Sequence, residues 1–124
     1  MDKLTDNINT LGLVVGRRIE DGVEVFVNGN YLGPDFSQSI YNHSPDGFEW
    51  GYAGSGPAQF ALALLLHFTD DIEFSKRNYQ KFKHDVVSKL PKNFTISMDL
   101  ISRWIIDQGG SVSGQFTKNN GRSS

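Results

Sequence analysis

With 124 residues, 38% of them hydrophobic and 21% charged, the chain carries material for one hydrophobic core and no second. It contains no cysteine, which excludes disulfides and thiolate metal centres. The net charge of −2 conceals a segregation: nine acids and no Lys or Arg lie between Ile19 and Ser75, and six bases against the single acid Asp85 between Lys76 and Lys92. The segments either neutralise one another across the fold or present an acidic surface and a basic helix to partners of opposite charge.

Residues 1–10 are polar and lack periodicity, so a flexible lead-in is expected. They also lack the cationic start and long apolar run of a secretory signal. The longest apolar run, Phe60–Leu66, has seven residues, far short of the ~20 that cross a bilayer. A soluble, cytoplasmic protein without a membrane partner is the expectation.

From Leu11 onward "LGLVVGRRI" and "VEVFVNG" read as two strands, the second alternating Val23, Val25 and Val27 against Glu24 and Phe26. "EDG" between them signals a hairpin, with Asp-Gly supplying the positive φ of a tight turn. A third short strand is expected near Tyr31 or over Ser39–Tyr41. Phe48, Trp50 and Tyr52 alternate at a spacing of two, which predicts a short strand with three rings on one side, facing the core.

Ser55 reads as an N-cap, with Gly56 and Pro57 in the first turn of a helix that follows. Phe60, Leu64 and Phe68 share one face, and Leu62 and Leu66 carry the apolar surface round the cylinder, so this helix belongs at the centre. Thr69 or Asp70 is the expected cap of a second helix reaching Leu90, with Tyr79, Phe82, Val86 and Leu90 on its buried stripe, and Pro91 ends it. Phe94–Ile96 reads as extended. A last helix capped by Ser97 buries Leu100, Ile101, Trp104 and Ile105, and Gly109 and Gly110 stop it. The Gly, Ser and Asn-rich segment 109–124 is expected as a disordered tail. The predicted architecture is α+β: a small antiparallel sheet packed on a central apolar helix with two further helices, in one domain over 11–108.

No catalytic constellation stands out. The three histidines, His43, His67 and His84, make no i, i+3 or i, i+4 pair with one another, and no HExxH is present. The "GSG" around Ser55 lacks the G-x-S-x-G elbow of a hydrolase. No metal site and no cofactor are expected. A hydrolase or transferase centred on His43, Asp46 and Glu49 requires those groups to converge in one cleft. "GYAGSGPAQ" has the glycines and serine of a helix-start anion cradle without the P-loop lysine, and Asp46 and Glu49 would repel phosphate.

The segment "NHSPDGFEWGYAGSGPAQFALALLL", followed by "YQKFKHDVVSKLP", resembles a family of small uncharacterised bacterial proteins met on phages, plasmids and other mobile elements, a domain of unknown function. The likeness runs from about Val14 to Trp104, with Ala53 standing where the family commonly has Gly. It implies no reaction, only that the loop and helix start are the family's signature. His43, Asp46, Glu49, Trp50, Tyr52, Ser55 and Gln59 are the candidate binding residues of that loop.

Joined to the family's genomic habit, these features point to a non-enzymatic protein-binding module. It would occlude a host protein or protein–nucleic acid complex, as an anti-CRISPR or other anti-defence inhibitor does. Glu20, Asp21, Glu24, Asp35, Asp70, Asp71 and Glu73 are then the candidate acidic surface. The alternative is a nucleic-acid- or nucleotide-binding accessory protein that uses the basic helix, with Lys76, Arg77, Lys81, Lys83 and Lys89, and the "GSGPAQ" helix start.

Overall fold

A computed structural model describes residues 11–113. The lead-in expected over 1–10, and residues 114–124 of the expected tail, lie outside the described residues. β1 (Leu13–Ile19), β2 (Gly22–Val27), β3 (Asn30–Tyr31) and β4 (Phe94–Ser97) form one sheet of order β3-β2-β1-β4, antiparallel at every pairing. Helices α1 (Asp35–Ile40), α2 (Ser55–Thr69), α3 (Ile72–Asp85) and α4 (Met98–Asp107), with a 3₁₀ turn at Val87–Lys89, complete an α+β fold. Among the described residues no helix is long and apolar enough to cross a membrane.

The expected hairpin runs from Val14↔Val27 to Ile19↔Gly22. Its turn residues are Glu20 and Asp21; Gly22, at φ 147°, opens β2 instead of sitting in the turn. The next turn is the sharper one. Asn28 and Gly29, at φ 53° and 82°, join β2 to β3, the two-residue geometry whose twist suits flanking strands. Register then sorts the faces. Val14, Gly16 and Arg18 of β1 lie level with Val27, Val25 and Val23 of β2, and Gly16 and Val14 with Phe94 and Ile96 of β4. This is the inward face. A Cβ on Gly16 would stand 2.1 Å from the Phe94 ring, so glycine is what lets that aromatic approach β1 so closely.

Thirteen of the 15 residues of α2 are buried, as its all-round apolar sequence requires. Phe60 is the hub, its ring centre 5.1 Å from Phe48, 5.5 Å from Trp50 and 5.9 Å from Phe94. The sheet, the loop before α2 and the central helix thus share one core.

Several local expectations are corrected. Ser55 is the first helical residue, not the cap: Gly54 holds that place with no side-chain cap bond. A Cβ at residue 54 would fall 2.7 Å from the Tyr52 ring, which favours glycine there. Asp70 closes α2 in the left-handed conformation at φ 55°, and this displaces the cap of α3 to Asp71, whose side chain accepts from Phe74 N at 3.0 Å. α3 stops at Asp85, not Leu90. Val87 turns its carbonyl to the Gly51 N–H at 3.0 Å, and Leu90, ahead of Pro91, is extended.

Residues 39–40 belong to α1, while Asn30–Tyr31 is the third strand. Phe48, Trp50 and Tyr52 form no strand. Phe48 and Trp50 are core, whereas Tyr52 is exposed. Ser97 caps α4 by accepting from Leu100 N at 3.0 Å, yet Leu100 itself is exposed and Trp104 only half-buried. Past α4 the described chain continues to Ser113, whose N–H donates to the Phe68 carbonyl at 2.8 Å.

Candidate functional site

Gln59 decides how the loop after α1 is held. Its side chain is wholly buried on α2, where four hydrogen bonds use every capacity that burial demands. Oε1 accepts from His43 N at 2.7 Å and Ser44 N at 2.9 Å, while Nε2 donates to Ser37 Oγ at 3.0 Å and the Tyr41 carbonyl at 3.1 Å. One amide thus ties α1 and the start of the loop to the central helix. Its role is to fix the loop, not to meet a ligand.

His43 projects from that fixed backbone to the edge of α3. Its Nε2 hydrogen-bonds the Tyr79 hydroxyl, and its ring stacks on Tyr41 with centres 4.0 Å apart and planes 21° from parallel. Burial first, and the Lys83 ammonium second, hold the imidazole below its ordinary value, so it is neutral at physiological pH. The Tyr79 hydroxyl is pushed up, chiefly by burial, which disfavours a phenolate nucleophile. Tyr41 remains 51% exposed.

Glu49 lies elsewhere. It pairs with Arg18 of β1 at 2.7 Å, and that guanidinium lies 4.8 Å from the centre of the Trp50 ring. Trp50 Nε1 donates to the Lys92 carbonyl at 3.0 Å. Arg18 stands on the inward parity of β1, after Val14 and Gly16, so strand alternation could have marked it as a charge needing a buried partner. Asp46 is exposed in the turn closed by Gly47 N and the Ser44 carbonyl at 3.1 Å. His43, Asp46 and Glu49 therefore engage three different surroundings. The helix start offers no clear anion cradle either. A Cβ on Gly56 would meet Glu49 Cβ at 2.7 Å, so the side chain of an acid covers it. Among the described residues no three His, Asp or Glu gather as metal ligands.

The charged candidates divide. Glu20 and Asp21 form the hairpin turn; Glu24 pairs with Arg17 across β1 and β2 at 3.0 Å. Asp71 is spent as a cap, Glu73 sits in the first turn of α3, Asp35 opens α1, and Asp70 closes α2. On the basic side Lys81 pairs with Asp85 at 3.0 Å. Lys76, Arg77 and Lys89 are exposed and Lys83 half-buried. Among the described residues no ion pair joins the basic segment to the acids of 19–75, so the two do not neutralise one another by contact.

Between α1 and α2 lies a groove of about 260 Å³, floored by Leu32, Ala63 and Leu66 and flanked by Phe36. Phe36 is 60% exposed. Asp70, which is exposed, also lines it, and Ser113 brings a buried Oγ with no hydrogen-bond partner. Phe36 went unnoticed in the sequence because it lies in a six-residue helix bounded by Pro34, too short to show a face.

A profile described as a family of unknown function, DUF6166, matches residues 14–107. The chain belongs to that family. No curated protein and no solved structure matches it. The family stretch begins in β1 and ends with α4, so it takes in the sheet, the Gln59-tied loop and all four helices.

Proposed function

We propose that this DUF6166 protein is a non-enzymatic binding module that holds a protein partner in the groove between α1 and α2. The observation that carries the reading is Phe36, an aromatic ring left largely in water beside an apolar groove with a carboxylate at its rim. Exposed aromatics beside well-formed pockets are what interfaces use as anchors. The volume, about 260 Å³, falls below the ~300–1,000 Å³ of small-molecule sites, so it suits one or two side chains of a partner. Asp70 at the groove and Asp35 beside Phe36 favour a partner segment that follows an aliphatic or aromatic anchor with Lys or Arg.

The mobile-element setting implied by the sequence resemblance gives this its specific form. A cytoplasmic anti-defence inhibitor, of the anti-CRISPR kind, would cover a basic surface of a host protein or protein–nucleic acid complex. Selection from a displayed random-peptide library tests the chemistry. The expected consensus is an apolar anchor with an adjacent base, lost when Asp70→Asn is the bait. A consensus without bases, or one that Asp70→Asn leaves unchanged, contradicts the reading.

A further inference from the structure

The corner formed by Tyr41, His43 and α3 shares no residue with the groove, and what it presents is different in kind. Tyr79 is buried on α3 with Lys76 three residues before it and Lys83 four after, spacings that put both lysines on its face of the helix. Lys83 is half-buried, and among the described residues neither lysine has a carboxylate within ion-pair distance. Lys83 is close enough to His43 to act on its ring electrostatically and has no carboxylate partner, so an anion can serve as its counter-charge. Next to it lies a flat surface. Tyr41 already stacks one face on His43 and is 51% exposed. Its backbone is held by Gln59, so the ring's position is set before any ligand arrives.

We propose that this corner binds a nucleotide unit, the base stacked on the outer face of Tyr41 and the phosphate held by Lys83. Aromatic platforms beside cations bind bases with little sequence preference, because every base offers a π-face and every linkage a phosphate. Lys76 adds attraction at longer range; Glu73, one turn before it on α3, weakens that end and leaves Lys83 as the main phosphate contact. Arg77 and Lys89 are not needed. The ligand is defined by the shared chemistry of base plus phosphate, whether supplied by a free mononucleotide or by single-stranded nucleic acid.

Titration of the ¹⁵N-labelled protein at low salt with AMP, and separately with an oligothymidylate, tests this. The expected result is a saturable shift of the Tyr41 and His43 resonances with at least one probe. A response to AMP assigns free nucleotide as a source, and a response to the oligonucleotide alone assigns single strands. Because Tyr41→Leu removes the stacking platform, it should weaken binding about tenfold, while Tyr41→Phe retains it. Lys83→Gln should weaken it by a similar factor, and Lys89→Gln, outside the corner, by less than about twofold. The side chains of Tyr41 and Lys83 lie outside the core, and a melt of each variant confirms folding. No shift at Tyr41 or His43 with either probe at millimolar concentration overturns the proposal. So does equal weakening by Lys83→Gln and Lys89→Gln, which is the mark of unlocalised charge.

Discussion

Replacing Gln59 by Leu keeps the side chain's approximate size and removes all four of its hydrogen bonds. Ser37 Oγ retains a partner, because it also donates to the Pro34 carbonyl at 2.9 Å. The His43 and Ser44 N–H groups and the Tyr41 carbonyl do not. Each buried group left unpaired costs about 1–3 kcal/mol. Ser44 N lies in the interior and bears the full penalty, while His43 N and the Tyr41 carbonyl are nearer water and recover part of theirs. The sum is about 3–5 kcal/mol, equivalent to a fall in Tm on the order of 10–20 °C for a domain of this size. Urea denaturation reads the free energy, and amide exchange at Ser44 reads the local opening. Gln59→Glu sharpens the test. A carboxylate still accepts from both N–H groups, but it cannot donate to Tyr41, and burial raises its pKa. The folded variant then binds more protons than the unfolded one, so it gains stability relative to wild type as pH falls from neutrality toward the ordinary carboxyl value. If Gln59→Leu loses less than about 1 kcal/mol, or Ser44 exchange is unchanged, the loop is held by something other than this amide.

Gly16→Ala should destabilise by about 1–3 kcal/mol, since its methyl would overlap the Phe94 ring; equilibrium unfolding measures it, and a neutral result would mean the ring moves freely. The pH dependence of stability carries the sign of His43. Its pKa is lowered in the fold, so as pH falls through about 6.5 the unfolded chain takes up the proton first, and stability contributed by the neutral imidazole is lost from there down to the folded value. His43→Gln should flatten that part of the slope, read from urea midpoints at about pH 7.5 and about pH 5; an unchanged slope contradicts it. For Arg18 and Glu49, both partly exposed, a double-mutant cycle with Arg18→Met and Glu49→Gln should give a coupling of about 0.2–1 kcal/mol, and zero coupling would make the pair incidental.

What the sequence made legible follows from where its patterns are strong. Thirteen of the 15 residues of α2 are buried, and its unbroken apolar run from Phe60 to Leu66 marks it as a central helix. The β1–β2 hairpin showed itself through alternating valines. The β2–β3 turn was equally readable, because Asn28-Gly29 is a strong hairpin dipeptide, but β3 has only two residues and shows no alternation of its own. The cap of α3 moved to Asp71 because Asp70 takes the left-handed position that closes α2, a choice between adjacent acids that local sequence does not make. The loop from His43 to Gly54 could not be read locally at all. Its order depends on Gln59, Val87 and Arg18, which are distant in sequence. The same holds for the candidate sites: Phe36 and the Tyr41–His43 stack have meaning only once α1 is placed against α2.

Comparative affinity capture from the native host tests directly whether a protein partner occupies the groove beside Phe36. Phe36→Asp places a charge on the anchor, whereas Ile106→Asp places one on a similarly exposed residue of α4. The expected result is a partner that is recovered with the wild type and with Ile106→Asp, is released by salt, and is absent with Phe36→Asp. Recovery of the same partners by folded Phe36→Asp would contradict it.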